Sequence, residues 1–404
     1  VNSSSSNTRS DVAEYNGGYE AQGWKGYVKS DTVAKTTGAP SANAAWGTKT
    51  GIAYPNNHVT TADKLDALSE TDITNRLVLT TNDSNNTGVS FEWSTGTALL
   101  SANQKTLLDA GSLGSARLNF IRGNRTLEGD VTGKPFRIRT SRQGDIVNSQ
   151  VWYVAQPVSN YSYKGYTKFV KDFKNRLPML YVGGNDGMLH GFSAENGTEK
   201  IAYIPKGVIK NLPELTKPTY QHMYFVDGSP FSGDVDRSSG TTPDWRTLLV
   251  GTLGAGGKGY FILDVTKPGS PTSTIEGAVD NSFSKGNAST LVVLDKTAHK
   301  DETFATNAVE RDIGHIFAQP VVDDTSPHFT NQIARLNNGR WAVVMGNGYN
   351  STNERPVLLI QYLSGSDTSL KIIPAAAVGS TNAVSNGLSA PRLVDINGDG
   401  APDV

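Results

Sequence analysis

Cysteine is absent from the chain. That excludes disulfide bridges, zinc–thiolate sites and cysteine nucleophiles, although it does not decide the compartment. Long apolar runs are lacking too, and none approaches the ~20 residues that a membrane-spanning helix needs. There is no excess of one charge. With 37 lysines and arginines against 38 aspartates and glutamates, nothing draws the chain towards nucleic acid. Nor does Val1 open a signal peptide, so the expectation is a mature fragment.

Several catalytic signatures are missing as well. The histidines, His58, His190, His222, His299, His315 and His328, form no HExxH pair, and no GxSxG elbow occurs. His190 and His222 are expected as neutral side chains hydrogen-bonded between structural units. Gly254-Ala255-Gly256-Gly257-Lys258-Gly259 fits GxGxxG, but Tyr260-Phe261-Ile262-Leu263 follows as a strand. Without a helix to receive a pyrophosphate, these glycines are expected in a hairpin turn.

The chain does have 42 glycines and much Asn, Ser and Thr, a turn-rich composition that suits an all-β fold. Met179 to Pro205 sets the pattern. An apolar strand, the Asn185-Asp186-Gly187 turn, a returning strand, a turn at Glu195-Asn196-Gly197 and a third strand make a meander of propeller-blade type. Strand–turn clusters follow from about Val147 to Pro205, Tyr224 to Leu294 and His315 to Tyr362, and a fourth begins near Lys371. The ring is therefore expected to be incomplete, truncated at Val404.

Residues 1–16 are Ser/Asn-rich and expected to be disordered. Residues 17–143 read as an irregular flanking region packed on the propeller of residues 144–404. Strands are expected at Trp24–Val28, Leu77–Thr80, Val89–Trp93, Leu118–Ile121, Phe136–Thr140 and Val147–Val154. Ser101 as N-cap and Gly111 at the end bracket a short helix, and Asp63–Leu68 is a second candidate. Tyr161 to Arg176, rich in lysines and aromatics, is expected as a solvated face over buried rings. The six tryptophans are expected between blades, and an exposed one would instead favour a sugar-stacking surface.

The blocks YVGGNDGMLHGF with AYIP, DWRTLLVGTLGAGGKGYFILDVTKP, NGRWAVVMGNGYNS and GLSAPRLVDINGDGAPD resemble, in order, the blades of the PilC/PilY family of type IV pilus-associated proteins. The resemblance covers roughly Gly144 to the end. It implies a non-enzymatic, calcium-regulated factor for pilus biogenesis, twitching motility and cell adhesion. It would sit at the bacterial cell surface, at the pilus tip or outer membrane. The implied partners are minor pilins, the pilus machinery, and a host cell surface or extracellular matrix. Where the family often has Arg-Gly-Asp, this chain has Arg122-Gly123-Asn124, which lacks the carboxylate of an integrin-type contact. The alternatives are a quinoprotein-like propeller dehydrogenase, whose motif GGNDGMLHGFSAENGTE resembles, and an outer-membrane assembly scaffold.

One stretch carries ligand spacing of its own. In Asp395 to Asp403, oxygens of Asp395, Asn397 and Asp399, the carbonyl of Ala401 and the carboxylate of Asp403 occupy positions 1, 3, 5, 7 and 9. Such a loop wraps a hard cation, and Gly398 and Gly400 permit the curl. Calcium is expected over magnesium, which prefers a rigid octahedron and keeps its waters.

Overall fold

The computed structural model describes residues 7–9, 13–271, 279–302, 309–323, 326–365, 367–375, 386–397 and Pro402. In chain order, β1 (Asn7–Arg9), β2 (Ala13–Glu20), β3 (Lys25–Val33) and β4 (Pro40–Ala42) form one antiparallel sheet. Helices α1 (Thr61–Asp66) and α2 (Glu70–Asn75), strands β5 (Val78–Asn82) and β6 (Thr87–Ser90), and helices α3 (Ala102–Leu108) and α4 (Gly114–Arg122) follow. Then come β7 (Trp152–Val154), α5 (Tyr166–Phe173), β8 (Met179–Gly183), β9 (Leu189–Ser193) and β10 (Glu199–Ile204). The second blade is β11 (Phe231–Asp236), β12 (Trp245–Thr252), β13 (Gly257–Asp264) and, after the short α6 (Ala288–Leu291), β14 (Val292–His299). A two-stranded ribbon of β15 (Val322–Asp323) and β16 (Ser326–Thr330) precedes the third blade, β17 (Ile333–Arg335), β18 (Trp341–Gly346), β19 (Val357–Tyr362) and β20 (Leu370–Pro374).

These are the meandering blades of an incomplete β-propeller, and no sheet closes on itself among the described residues. The first blade is widened from outside. Its order is β6-β5-β10-β9-β8-β7, with β5 joined to β10 in parallel register, Ala202 opposite Val78. Alternation along the strands explains the stacking. In β8, Met179 and Tyr181 enter the core shared with the second blade, while Leu180 and Val182 pack on Tyr15, Val28 and Trp46. The sheet β1–β4 thus covers the face of the first blade that a preceding blade would cover. Strands buried on both faces read as unbroken apolar runs, and each large side chain removed from water contributes about 1.5–3 kcal/mol.

Tryptophans Trp245 and Trp341 sit between the second and third blades with ring centroids 5.4 Å apart, against Tyr161 and Tyr166. That places the aromatics of Tyr161–Arg176 beneath an exposed Lys168, the expected arrangement. Gly254 and Gly256 of the GxGxxG run form one tight 3-10 turn between β12 and β13, as a hairpin requires, and Gly259 lies in β13.

Several expectations change, among them that a fourth cluster begins near Lys371: that residue lies in β20, the last strand of the third blade. Residues 13–16, read as disordered, open β2, because Ala13 and Tyr15 alternate inward against the first blade. Residues 7–9 pair with it antiparallel. Leu118–Ile121, read as a strand, lies in α4; Gly114, Arg117, Leu118 and Ile121 recur on its buried face and Gly123 at φ 118 ends it. Phe136–Thr140 makes only an isolated bridge, Phe136 to Glu128. The helix at Ser101 is α3, closed by a Ser101–Gln104 capping box.

Candidate functional site

The β8–β9, β12–β13 and β18–β19 turns occupy equivalent places in their blades, and each holds the chain that enters a blade. Asn185 donates to Asp145 Oδ2 at 2.7 Å and accepts from the backbone N–H of Phe225 at 3.0 Å. Asn347 does the same work two blades on. It donates to the carbonyls of Asp312 and Arg355 at 2.8 Å and accepts from the N–H groups of Val357 and Leu388. The approach is close enough to demand glycine: a Cβ on Gly256 would lie 1.7 Å from the Phe225 carbonyl oxygen. Asp227, on the chain entering the second blade, accepts two bonds from Asn148. Burial, with Asp145 adding to it, pushes its carboxyl up to about 6 against those bonds.

Behind the first turn lies a buried ionic chain. Asp186 accepts from the N–H of Gly144 at 2.7 Å and faces His190 Nε2 at 3.0 Å. His190 Nδ1 lies 2.7 Å from Glu199, which takes a two-pronged bond from Arg76 at 2.7 and 2.8 Å. Burial favours the neutral imidazole, yet Asp186 and Glu199 outweigh it and hold its pKa up at about 9. Burial likewise pushes Glu199 up, and Arg76 and His190 overcome it, down to about 2. His190 is therefore charged and inside one blade, which corrects the neutral inter-blade reading. Both ring nitrogens are engaged and the side chain is fully buried, so it offers no position to a substrate. The charge-pairing carboxylates come from the turn and the neighbouring strand, and sequence spacing gave no sign of them.

His222 does join separate parts: its ring packs at a tilt of 32° against Trp24 of the β2–β3 turn, centroids 4.0 Å apart, and it bonds Asp145 at 2.7 Å. Arg122 of the Arg-Gly-Asn triplet is 3% exposed and donates to the carbonyls of Phe91, Thr74 and Arg76. A receptor cannot reach it.

Of the expected calcium ligands, Asp395 and Asn397 are described and exposed, whereas Asp399, Ala401 and Asp403 lie outside the described residues. The chain leading to them is anchored. Gly348 bridges Leu388, Leu393 is buried against the third blade, and the Leu393 carbonyl accepts from Asn331 at 2.7 Å. Ile396, between the two ligands, is 81% exposed, so this segment leaves the packed blade where the oxygens begin. Hard oxygen donors of this kind suit calcium. Among the described residues, no group of three or more His, Asp or Glu side chains is placed to hold a metal, and no helix is long and apolar enough to cross a membrane.

Residues 143–404 match the family model described as the PilY1 beta-propeller domain. The type IV pilus biogenesis factor PilY1 of Pseudomonas aeruginosa strain PAK is 36% identical over 333 residues, covering 78% of this chain and 24% of that protein. A PilY1 homolog of Xylella fastidiosa is 36% identical over 259 residues, covering 62% of this chain and 18% of its own. The chain thus spans about a quarter or less of the length of these curated relatives. The crystal structure of the P. aeruginosa PilY1 C-terminal domain is 32% identical with a TM-score of 0.42, covering 62% of this chain and 42% of that one.

Proposed function

The chain belongs to the PilY1 β-propeller family, and from that premise we propose that it serves type IV pilus biogenesis as a calcium-binding, non-enzymatic surface propeller. The family match across residues 143–404 carries this reading. The relatives are named as biogenesis factors, and this too favours a binding role over catalysis. Minor pilins and the pilus machinery are its partners, at the cell surface or pilus tip, and a host surface is the target of attachment.

Asp395, Asn397, Asp399, the Ala401 carbonyl and Asp403 would hold the calcium. The cation supplies the charge that lets three carboxylates crowd into nine residues. The chain supplies the rest: Leu388 and Leu393 fix the start of the loop on the third blade, and the Asn347 turn fixes Leu388. Occupancy of such a loop biases pili between extension and retraction. A strain lacking the gene is expected to lose surface pili, twitching motility and attachment together. Normal pilus number, motility and attachment in that strain would end this reading.

A further inference from the structure

Of the six tryptophans, Trp24 alone is exposed, at 36%, and it stands at φ 57 where a bulky residue is out of place. Gly or Asn would occupy that turn position without strain. Instead the turn carries an indole, held in place by Tyr19 and His222. Gly23 fixes the hairpin tip on the neighbouring chain, its carbonyl accepting from Thr140 at 2.9 Å.

Two adjoining hollows open beside it, and Trp24, Arg137 and Tyr220 line both. Arg137 is unlike its neighbours. Arg76, Arg122, Arg125, Arg139 and Arg142 each pair with a carboxylate, and all three side-chain nitrogens of Arg117 donate. Arg137 donates Nε to the Leu215 carbonyl at 2.6 Å and lies over the Tyr220 ring at 4.4 Å. Its two terminal nitrogens have no hydrogen bond or ion pair among the described residues. Such a pair of parallel donors fits a carboxylate.

The inner hollow also holds an acceptor. Asp145, 1% exposed, takes both Asn185 and His222 on Oδ2, and its Oδ1 takes no bond among the described residues. A donor fork, a spare carboxylate oxygen and two aromatic walls in one cleft ask for a ligand bearing a carboxylate, hydroxyls and an apolar ring face.

We infer that this cleft binds an acidic sugar, a uronic or sialic acid residue of a surface glycan. Arg137 takes the sugar carboxylate, Asp145 Oδ1 accepts a hydroxyl, and Trp24 and Tyr220 border the ring. An acidic peptide fits less well, because Asp and Glu side chains bring neither a hydroxyl for Asp145 Oδ1 nor an apolar ring face for Trp24 and Tyr220. The inference deepens the attachment reading and rests on it for its biological setting; the binding itself is a property of the chain.

The test is titration of the purified chain, by calorimetry and saturation-transfer NMR, with trigalacturonate, its methyl ester, a sialyl trisaccharide and an Asp/Glu-rich peptide. Saturable binding of an acidic oligosaccharide is expected, with the matching ester at least about tenfold weaker. Arg137→Gln should weaken it by at least about tenfold. Because that change also removes the bond to Leu215, Ile138→Asp provides a second route. Ile138 is 71% exposed on the rim of the outer hollow, and an added carboxylate there should repel the sugar without disturbing the fold. No binding of either acidic sugar, equal binding of acid and ester, unchanged binding in both variants, or preference for the peptide would each overturn the inference. A chain that binds none of them while its deletion still abolishes pili would refute the glycan site and leave the pilus reading standing.

Discussion

Residues 61–142 and the blades solve the same problem with different chemistry. Blades satisfy their backbone through ladders whose partners, the β5–β10 pair apart, are successive strands of the same meander. The four short helices of the N-terminal third cannot, because each leaves its last carbonyls without partners. A buried arginine meets each end. Arg142 donates to the carbonyls of Leu65, Asp66 and Leu68 after α1, and Arg122 to those of Thr74 and Arg76 after α2. Arg117 donates to Leu108 and Ala110 after α3, and Arg139 to Phe120 and Asn124 after α4. The planar fork reaches several oxygens at once, and its charge complements the negative end of a helix. A short helix can thus be stable with little packing of its own, provided a distant arginine is in place.

Arg122→Ala would test this contrast with the largest effect. It leaves the buried carbonyls of Phe91 and Arg76 and the part-buried one of Thr74 unpaired, for about 3–5 kcal/mol in urea unfolding. Arg122→Lys should recover little, since one ammonium cannot replace the fork. If lysine restores full stability, charge alone suffices and the geometric part of the contrast fails.

Next is the ionic chain that ties the two regions together. The pKa of His190 is about 9 folded against an ordinary 6.5. Its contribution is therefore complete below about 6.5 and disappears as pH rises through about 9, on the order of 3 kcal/mol. Glu199 has the opposite sign: it stabilises above about 4.5 and loses that effect as pH falls towards about 2. Urea midpoints of the wild type should fall between pH 7 and 10 more steeply than those of His190→Gln. Parallel curves would mean that His190 is not charged in the fold.

The smallest effect belongs to the blades. Asn347→Ala removes four side-chain hydrogen bonds at one turn but leaves the ladders intact, so about 1–3 kcal/mol is expected. A loss matching that of Arg122→Ala would erase the distinction between the two regions.

The same contrast explains what could be read in advance. Asn185-Asp186-Gly187, the meander around it and the hairpin glycines at Gly254 were legible because turn chemistry and alternation are local. The Ser101 cap was legible for the same reason. Leu118–Ile121 was not, since four apolar-rich residues fit either period and only the Gly123 cap and the Arg139 bonds decide for helix. The His190 charge was hidden because its partner Glu199 and the arginine behind it come from different elements, Arg76 being 123 residues away from Glu199. Trp24 was read as packing. Its exposure depends on a hairpin tip lodged against Thr140, which no periodicity encodes.

Calcium would be a third way to hold backbone and carboxylates in place, after ladders and arginines, in the chain that follows the third blade. Isothermal titration of the full-length protein with calcium tests this most directly, on the wild type and on Asp399→Ala. The account predicts saturable binding by the wild type that Asp399→Ala abolishes, with magnesium failing to substitute. Unchanged calcium affinity in Asp399→Ala would contradict it.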